Sequence, residues 1–353
     1  SRAVGPSLMT RLLARTMATP SLRGLAMGLA RGLRATGFPR VAAQRLPDEG
    51  LLGLTRLGRG MIAATAVPEV LSRGPALVPG LGLQLFGAPE TRPETLTRKG
   101  FSDGLGGGSR VGLLAGCVQK GLLARVNRVT RRVLEANGYR LGEVPGQGCC
   151  GAIHAHTGDL AGARELARAN IRAFESRELD FIAVNAAGCG ATMKDYPHLL
   201  AEDPEYADRA HALAAKVRDV SELLAGDGLI VGGELHLKVT YDAPCHLRHA
   251  QRISEEPLAI LSTVPGLELV PLEGDEECCG GAGVYGITHP ELGGRITDDK
   301  VRAILSTGAE VVATGNPGCM MQIGAGLRMA GASVAVVHPL ELLDESYRGG
   351  GVY

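Results

Sequence analysis

Eight cysteines, all between residues 117 and 319, fall into two sets of four with the same internal order. The first set is Cys117, the vicinal pair Cys149-Cys150 followed by Gly151, and Cys189. The second is Cys245, Cys278-Cys279 followed by Gly280, and Cys319. The intervals are 32 and 39 residues in the first set and 33 and 40 in the second, and matching cysteines are offset by 128 to 130. Ala187-Gly188-Cys189 and Pro317-Gly318-Cys319 repeat with them. So regular an offset describes a duplicated domain, and each copy must deliver four sulfurs in the same way.

Around the cysteines, short apolar runs alternate with amphipathic stretches. Strands are expected over 110–116, 140–144 and 180–187 in the first unit, and over 235–241, 267–271 and 310–314 in the second. Helices are expected over 122–136, closed by Asn137-Gly138, and over 159–174, 246–261 and 290–306. Such alternation implies an α/β fold with parallel sheets covered by helices. Functional groups of such sheets gather at the carboxyl ends of the strands, which is where Cys117, Cys189, Cys245 and Cys319 would sit.

The charge is divided unevenly along the chain. Residues 1–100 hold 14 Lys or Arg against 5 Asp or Glu, although the whole chain has 37 of each and no net charge. With that balance, no Trp and 5 Phe, neither a general nucleic-acid binder nor a base-stacking surface is expected. The uncharged stretch 74–89 contains three prolines and no uncharged run reaches the roughly 20 residues of a membrane span, so no transmembrane helix is expected. The acid-poor beginning resembles a transit peptide in composition, but Pro20, Pro39, Pro47 and Pro68 break it. A basic helical arm is the preferred reading, for docking or simply as a solvated face. The expected division is therefore 1–109 for arm and glycine-rich linker, 110–230 for the first repeat and 231–353 for the second. Residues 95–110, with Gly104 and Gly106-Gly107-Gly108, form the linker.

Single free cysteines are usually small buried hydrophobes, but vicinal pairs duplicated at fixed distances are not explained by packing. Disulfide frameworks belong to small secreted chains, and no secretory signal with an apolar centre is visible. Structural zinc favours close pairs such as Cys-x2-Cys, which the chain lacks. Four thiolates from three separate loops suit a [4Fe–4S] cluster, one per repeat, with neighbouring glycines letting backbone N–H groups approach sulfur. Thiol redox chemistry at the vicinal pairs is a rival, and an assembly module that no longer binds clusters is a third reading. His154, His156, His246 and His249 add little, because Gly283 and Tyr285 stand where His154 and His156 would recur. They are expected behind the ligands or at the surface. No dinucleotide fingerprint sits between a strand and a helix, and no Ser-His-Asp set suggests itself.

These residues resemble the cysteine-rich, or CCG, domain family, whose pattern is a Cys, a Cys-Cys-Gly and a later Cys-x-x-Cys, usually present twice. Its members include the cysteine-rich subunit of heterodisulfide reductase, the lactate-utilisation iron–sulfur proteins, the anaerobic glycerol-3-phosphate dehydrogenase membrane subunit and the glycolate oxidase iron–sulfur subunit. The match covers about residues 110–345. The last of these members is the most similar, through Gly188-Cys189-Gly190-Ala191 with Lys194-Asp195-Tyr196, Pro244-Cys245-His246-Leu247 and Cys278-Cys279-Gly280-Gly281-Ala282-Gly283. Tyr196-Pro197-His198-Leu199 and Gly318-Cys319 with Met321 also resemble the lactate-utilisation proteins. The resemblance implies two tandem CCG domains behind a basic arm, with all eight cysteines as cluster ligands. It also implies electron transfer within a 2-hydroxy-acid oxidising complex, with FAD on a separate glycolate-oxidising subunit and a ferredoxin-type carrier among the partners. A cytoplasmic place, peripheral on the inner membrane face, goes with that role. Two departures stand out. Thr192 and Gln322 replace the last cysteine of each Cys-x-x-Cys, and residues 1–116 carry no cysteine where the glycolate oxidase subunit has a ferredoxin domain. Four ligands per repeat still suffice for a cubane, but five-cysteine clusters and disulfide-reducing chemistry are not expected.

Overall fold

The computed structural model describes residues 16, 19–39, 41, 58, 60–66, 68–72, 106–225 and 228–353. The apolar run before Cys117 is β1 (Arg110–Leu113), which pairs in parallel with β2 (Arg140–Gly142) on one side and β3 (Phe181–Val184) on the other. The edge strand β4 (Val217–Asp219) completes a sheet of order β2-β1-β3-β4. The second repeat builds β6-β5-β7-β8 from β5 (Lys238–Tyr241), β6 (Glu268–Val270), β7 (Val311–Ala313) and β8 (Ala335–Val337). Register repeats as well: Val111 lies opposite Leu141 and Phe181, and Val239 opposite Leu269 and Val311. Central strands β1, β3, β5 and β7 are buried almost throughout, as a parallel sheet covered on both faces requires. The strand order reverses direction between β1 and β3, and again between β5 and β7. The connections there diverge and leave a crevice at the strands' carboxyl ends.

The covering helices of the first repeat are α2 (Ala124–Ala136), α3 (Leu160–Glu175), α4 (Ala187–Lys194) and α5 (Val220–Leu224), with α1 (Pro20–Ala35) ahead of them. The second repeat has α6 (Glu256–Ser262), α7 (Pro290–Ser306), α8 (Pro317–Met329) and α9 (Pro339–Gly349). In α2 the buried Val126, Val129, Val133 and Leu134 share one face, and Asn137-Gly138 ends the helix with Gly138 at φ 93°. Arg34 of α1 donates to the carbonyls of Thr65 and Leu122, and Met27 lies over Gly121, so this helix docks on the first repeat. No helix among the described residues is long and apolar enough to cross a membrane.

Three expectations needed correction. The helix expected over 246–261 is broken: a π-helical turn, His246–Ala250, is followed by Arg252 at φ 61°, and α6 begins afresh with Pro257 in its first turn. Proline lacks the N–H that a continuing helix would use, and so it starts a helix here. Strands β4 and β8 and helices α4, α5, α8 and α9 went unforeseen. The two strands are no shorter than β2, β6 and β7, but they lead into no cysteine, the mark by which the others were placed. In α8, Gly318, Gly324 and Gly326 each lower intrinsic helix preference by about 1 kcal/mol. Close packing requires two of them: a Cβ at 324 would lie 2.4 Å from Ala64 Cβ, and one at 326 would lie 2.7 Å from Thr297 Cγ2. Of the expected linker, 95–105 lies outside the described residues. Gly106–Gly108 is a turn bonded to Asn137 and Gly138, and a Cβ on Gly106 would lie 2.6 Å from the Tyr139 nitrogen.

The two repeats share one interior. Helix α9 of the second packs on α2 of the first, and α5 of the first on α6 of the second, so each repeat's last helix covers the other's first crossover. Val111, Val133, Leu224, Ile260, Leu343 and Tyr347 form a single cluster across this boundary. Ion pairs cross it: Arg125 Nε meets Glu341 Oε1 at 2.6 Å, and Arg132 grips Asp344 through two bonds of 2.8 and 2.6 Å. His338, wholly buried as the N-cap of α9, accepts the Leu340 N–H on Nδ1 at 3.2 Å. Its other nitrogen bonds the Asn185 carbonyl of the first repeat.

Burial, reinforced by the charge of Arg125 and opposed by the Asn185 bond, holds the His338 imidazole down to about 3. The unfolded chain therefore binds a proton there between about pH 6.5 and 3 that the folded chain refuses, and stability falls as pH drops through that window. Between pH 7 and pH 5 this residue should account for about 2 kcal/mol of lost unfolding free energy. His338→Asn, which keeps a capping oxygen, should remove that difference in urea titrations at the two pH values.

Candidate metal centre

Each cysteine leaves the end of a strand. Cys117 follows β1 and opens the short helix Val118–Gly121, Cys149 and Cys150 lie in the loop after β2, and Cys189 is in the first turn of α4 after β3. In the second repeat Cys245 follows β5, Cys278 and Cys279 follow β6, and Cys319 is in the first turn of α8 after β7. All eight are free thiols, five buried and three (Cys189, Cys245 and Cys278) half-buried. Thiol-to-thiol interactions run in the same series in both repeats: Cys117 to Cys149 to Cys150 to Cys189, and Cys245 to Cys278 to Cys279 to Cys319. Cys279 Sγ and Cys319 Sγ are 3.3 Å apart.

Charge is concentrated on the first sulfur of each vicinal pair. Bonds from Cys117 and Cys150, with the Gly151 N–H and His154 adding to them, bring Cys149 down to about 3. Cys278 falls to about 2 through Cys245, Cys279 and the N–H groups of Gly280 and Ala282. Cys117, Cys150, Cys245 and Cys279 are pushed up, first because each is bound to such a sulfur and then by burial. Four touching thiols in a low-dielectric crevice cannot ionise together. A cationic centre lets them do so, and the stronger its positive charge the more protons are released.

The glycine after each pair has a definite task. Gly151 and Gly280 sit at φ 90° and 87°, and their N–H groups reach back to Cys149 Sγ at 3.5 Å and Cys278 Sγ at 3.3 Å. A Cβ at 280 would lie 2.3 Å from the Gly293 carbonyl oxygen, whereas one at 151 would find Ala163 O at 3.3 Å. The carbonyls of the pairs are held from behind. Tyr196 OH donates to Cys150 O at 2.8 Å, Asn170 Nδ2 to Cys149 O at 2.9 Å, and Thr297 Oγ1 to Cys279 O at 3.0 Å.

The polar groups nearby complete the fit. Buried atoms without a partner include Gln119 Oε1, His154 Nδ1, Gln251 Oε1 and Gln322 Oε1, all on residues close to a cysteine in sequence or packed on a cysteine-bearing turn. His154 is buried with Asp159 4.0 Å away, and His156 meets His246 of the other repeat with ring centres 5.5 Å apart. Thr192 and Gln322 turn elsewhere: Thr192 Oγ1 donates to Gly188 O at 2.9 Å and Gln322 Nε2 to Thr297 Oγ1 at 2.8 Å. Among the described residues, no three of His, Cys, Asp and Glu converge as a single metal ion requires. Four soft sulfur donors from three loops suit an iron–sulfur cluster instead, whose several irons spread the ligands apart.

Sequence reasoning missed the supporting residues Asn170, Thr297 and Asn316, and had Tyr196 only as part of a family motif, without its bond to the Cys150 carbonyl. It also missed Lys300, whose ammonium bonds Asp242 Oδ1 at 2.9 Å and the carbonyl of Gly274 at 2.6 Å beneath the second site. The signal available was the repeat offset, which puts Lys300 opposite Asn170 and Asp242 opposite Leu114.

A family model described as a cysteine-rich CCG domain matches residues 111–194 and again 239–324, the two stretches that carry these loops. The chain belongs to this family. It is 37% identical over 242 residues to a "Probable glycolate oxidase iron-sulfur subunit" of Bacillus subtilis, covering 67% of this chain and 54% of that one. It is 32% identical to "Lactate utilization protein A" of an Exiguobacterium species, over 67% of this chain and 98% of the relative. The protein of the same name from Bacillus velezensis is also 32% identical, over 99% of its length. The CCG chain thus spans about half of the glycolate oxidase relative and nearly all of the lactate utilisation proteins.

Gly280→Ala should cost roughly 2–5 kcal/mol, combining left-handed strain with a backbone clash. Gly151→Ala, which meets softer surroundings, should cost roughly 1–3 kcal/mol from strain alone. Denaturant midpoints of the two variants check this ranking.

Proposed function

We propose that the chain is the iron–sulfur electron-transfer subunit of a 2-hydroxy-acid oxidising complex, with glycolate the preferred substrate of that complex. What carries this reading is two sets of four thiols, each gathered at a strand-end crevice with a backbone N–H turned onto the first sulfur of its vicinal pair. Cys117, Cys149, Cys150 and Cys189 would hold one [4Fe–4S] cluster, and Cys245, Cys278, Cys279 and Cys319 a second. Such clusters accept and release single electrons. The protein supplies thiolate charge, the N–H groups of Gly151 and Gly280, and the N-terminal ends of α4 and α8, whose dipoles favour negative charge.

The working division is 1–109 for the arm, 110–230 and 231–353 for the two domains. Substrate oxidation belongs to a separate FAD-binding subunit that converts glycolate to glyoxylate, and a ferredoxin-type carrier is a further partner. The protein then works in the cytoplasm, peripheral on the inner face of the membrane. The higher identity to the glycolate oxidase subunit favours glycolate, while the near-complete coverage of the lactate utilisation proteins makes L-lactate the second reading. Thr192 and Gln322, turned to other partners, weigh against heterodisulfide-type chemistry.

Anaerobically purified protein should contain about eight irons and as many acid-labile sulfides per chain, and Cys150→Ser should retain about half. Folded protein without iron, active on disulfides, would replace this reading with thiol redox chemistry. Reconstitution with a purified FAD-binding partner separates the substrates: reduction by glycolate rather than by L-lactate is expected.

A further inference from the structure

Asn316 is the N-cap of α8, yet its side chain makes no capping bond to the helix it begins. Its amide reaches across the domain boundary instead. Oδ1 accepts the Gly188 N–H at 3.1 Å, and Nδ2 donates to Cys319 Sγ at 3.4 Å. One side chain therefore touches the residue before Cys189 in the first repeat and the sulfur of Cys319 in the second. The backbone beside it does the same, since Gly315 O accepts the Ala187 N–H at 3.1 Å. Helix α4 is thus capped by the other repeat. Gln251 secures the joint by donating to Ala187 O at 2.9 Å.

The arrangement is one-sided. By the repeat offset the counterpart of Asn316 is Ala186, which has no amide to offer Cys189. Hydrogen bonds to cluster sulfurs raise the reduction potential, because they stabilise the more electron-rich state. The two sites, alike in their cysteines, therefore differ in this donor.

We propose that Asn316 is a positioning residue that raises the reduction potential of the second site through its bond to Cys319, and that its bond to Gly188 fixes this setting against the first site. The proposal rests on the reading that both repeats hold clusters, so iron and sulfide are measured first. Protein that lacks them fails that reading before any variant is made.

Two variants separate tuning from capping. Asn316→Ala removes both contacts without adding charge, and Asn316→Leu removes both while keeping the bulk of the side chain. In EPR-monitored redox titrations of the full chain, with Cys150→Ser used to assign the second-site signal, both variants should lower that site's midpoint. A shift of about tenfold in the reduced-to-oxidised ratio at fixed potential is expected, about 59 mV for one electron. If Asn316 only caps α4, neither variant would move the second-site midpoint. That result, or an equal shift at both sites, would overturn the proposal. Should Asn316→Ala fail to fold, Asn316→Leu still decides.

Discussion

Each site is governed by the repulsion of four sulfurs pressed together in a crevice only partly open to water. With like charges in contact in a medium of low dielectric, only one sulfur per site holds a negative charge easily, and its neighbours keep their protons to bond it. The rest of the local structure serves this crowding. Parallel strands bring the loops to one edge, and a glycine at positive φ turns an N–H back onto the ionised sulfur. Side chains from α3 and α7 tie down the carbonyls of the vicinal pairs. A site built in this way is incomplete as a set of thiols, because the remaining protons leave only when positive charge takes their place.

Duplication places a second demand on the fold. Two small sheets of four strands each would give modest cores if separate, and the chain merges them by laying each repeat's last helix on the other's crossover. The merged boundary contains an ion pair, Arg125 with Glu341, almost without exposure. Breaking one partner of such a pair typically costs about 3–5 kcal/mol, since the other is left charged in the interior. With His338 reaching across to Asn185 as well, the two repeats are fixed as one unit. That rigidity holds the two thiol sites at a set separation.

Much of this was legible in the chain because the cysteine offset is a long-range signal: it revealed the duplication, the strand ends and which cysteines come together in each repeat. Central strands could be read as well, for they are buried on both faces and so almost continuously apolar. What could not be read depends on contacts distant in sequence. Strands β4 and β8 lead into no cysteine and are fixed only by pairing with β3 and β7, and α8 looks like loop because its glycines matter only where Ala64, Thr297 and Val301 press on them. The break at Arg252 and the outward turn of Asn316 are likewise set by neighbours from other elements. The repeat decided what was visible: a three-residue strand that leads into a repeated cysteine could be placed, and one that does not could not.

The supports of the two sites diverge where their sulfurs do not. Asn170, which bonds the Cys149 carbonyl, is replaced at the matching position by Lys300, and the apolar Leu114 by Asp242. The new pair is neutral as a whole, and Thr314 and the carbonyls of Gly274 and Asp275 complete its bonding, so its burial is tolerated. Its dipole is nevertheless fixed beneath one site only. Ala186 against Asn316 is a third difference of the same kind. Had both sites been required to behave alike, exact repetition of these supports would have been the simplest course after duplication. Keeping eight cysteines while changing what lies behind them gives two sites with the same sulfurs a different electrostatic surrounding, so a negative charge is held with different ease at each.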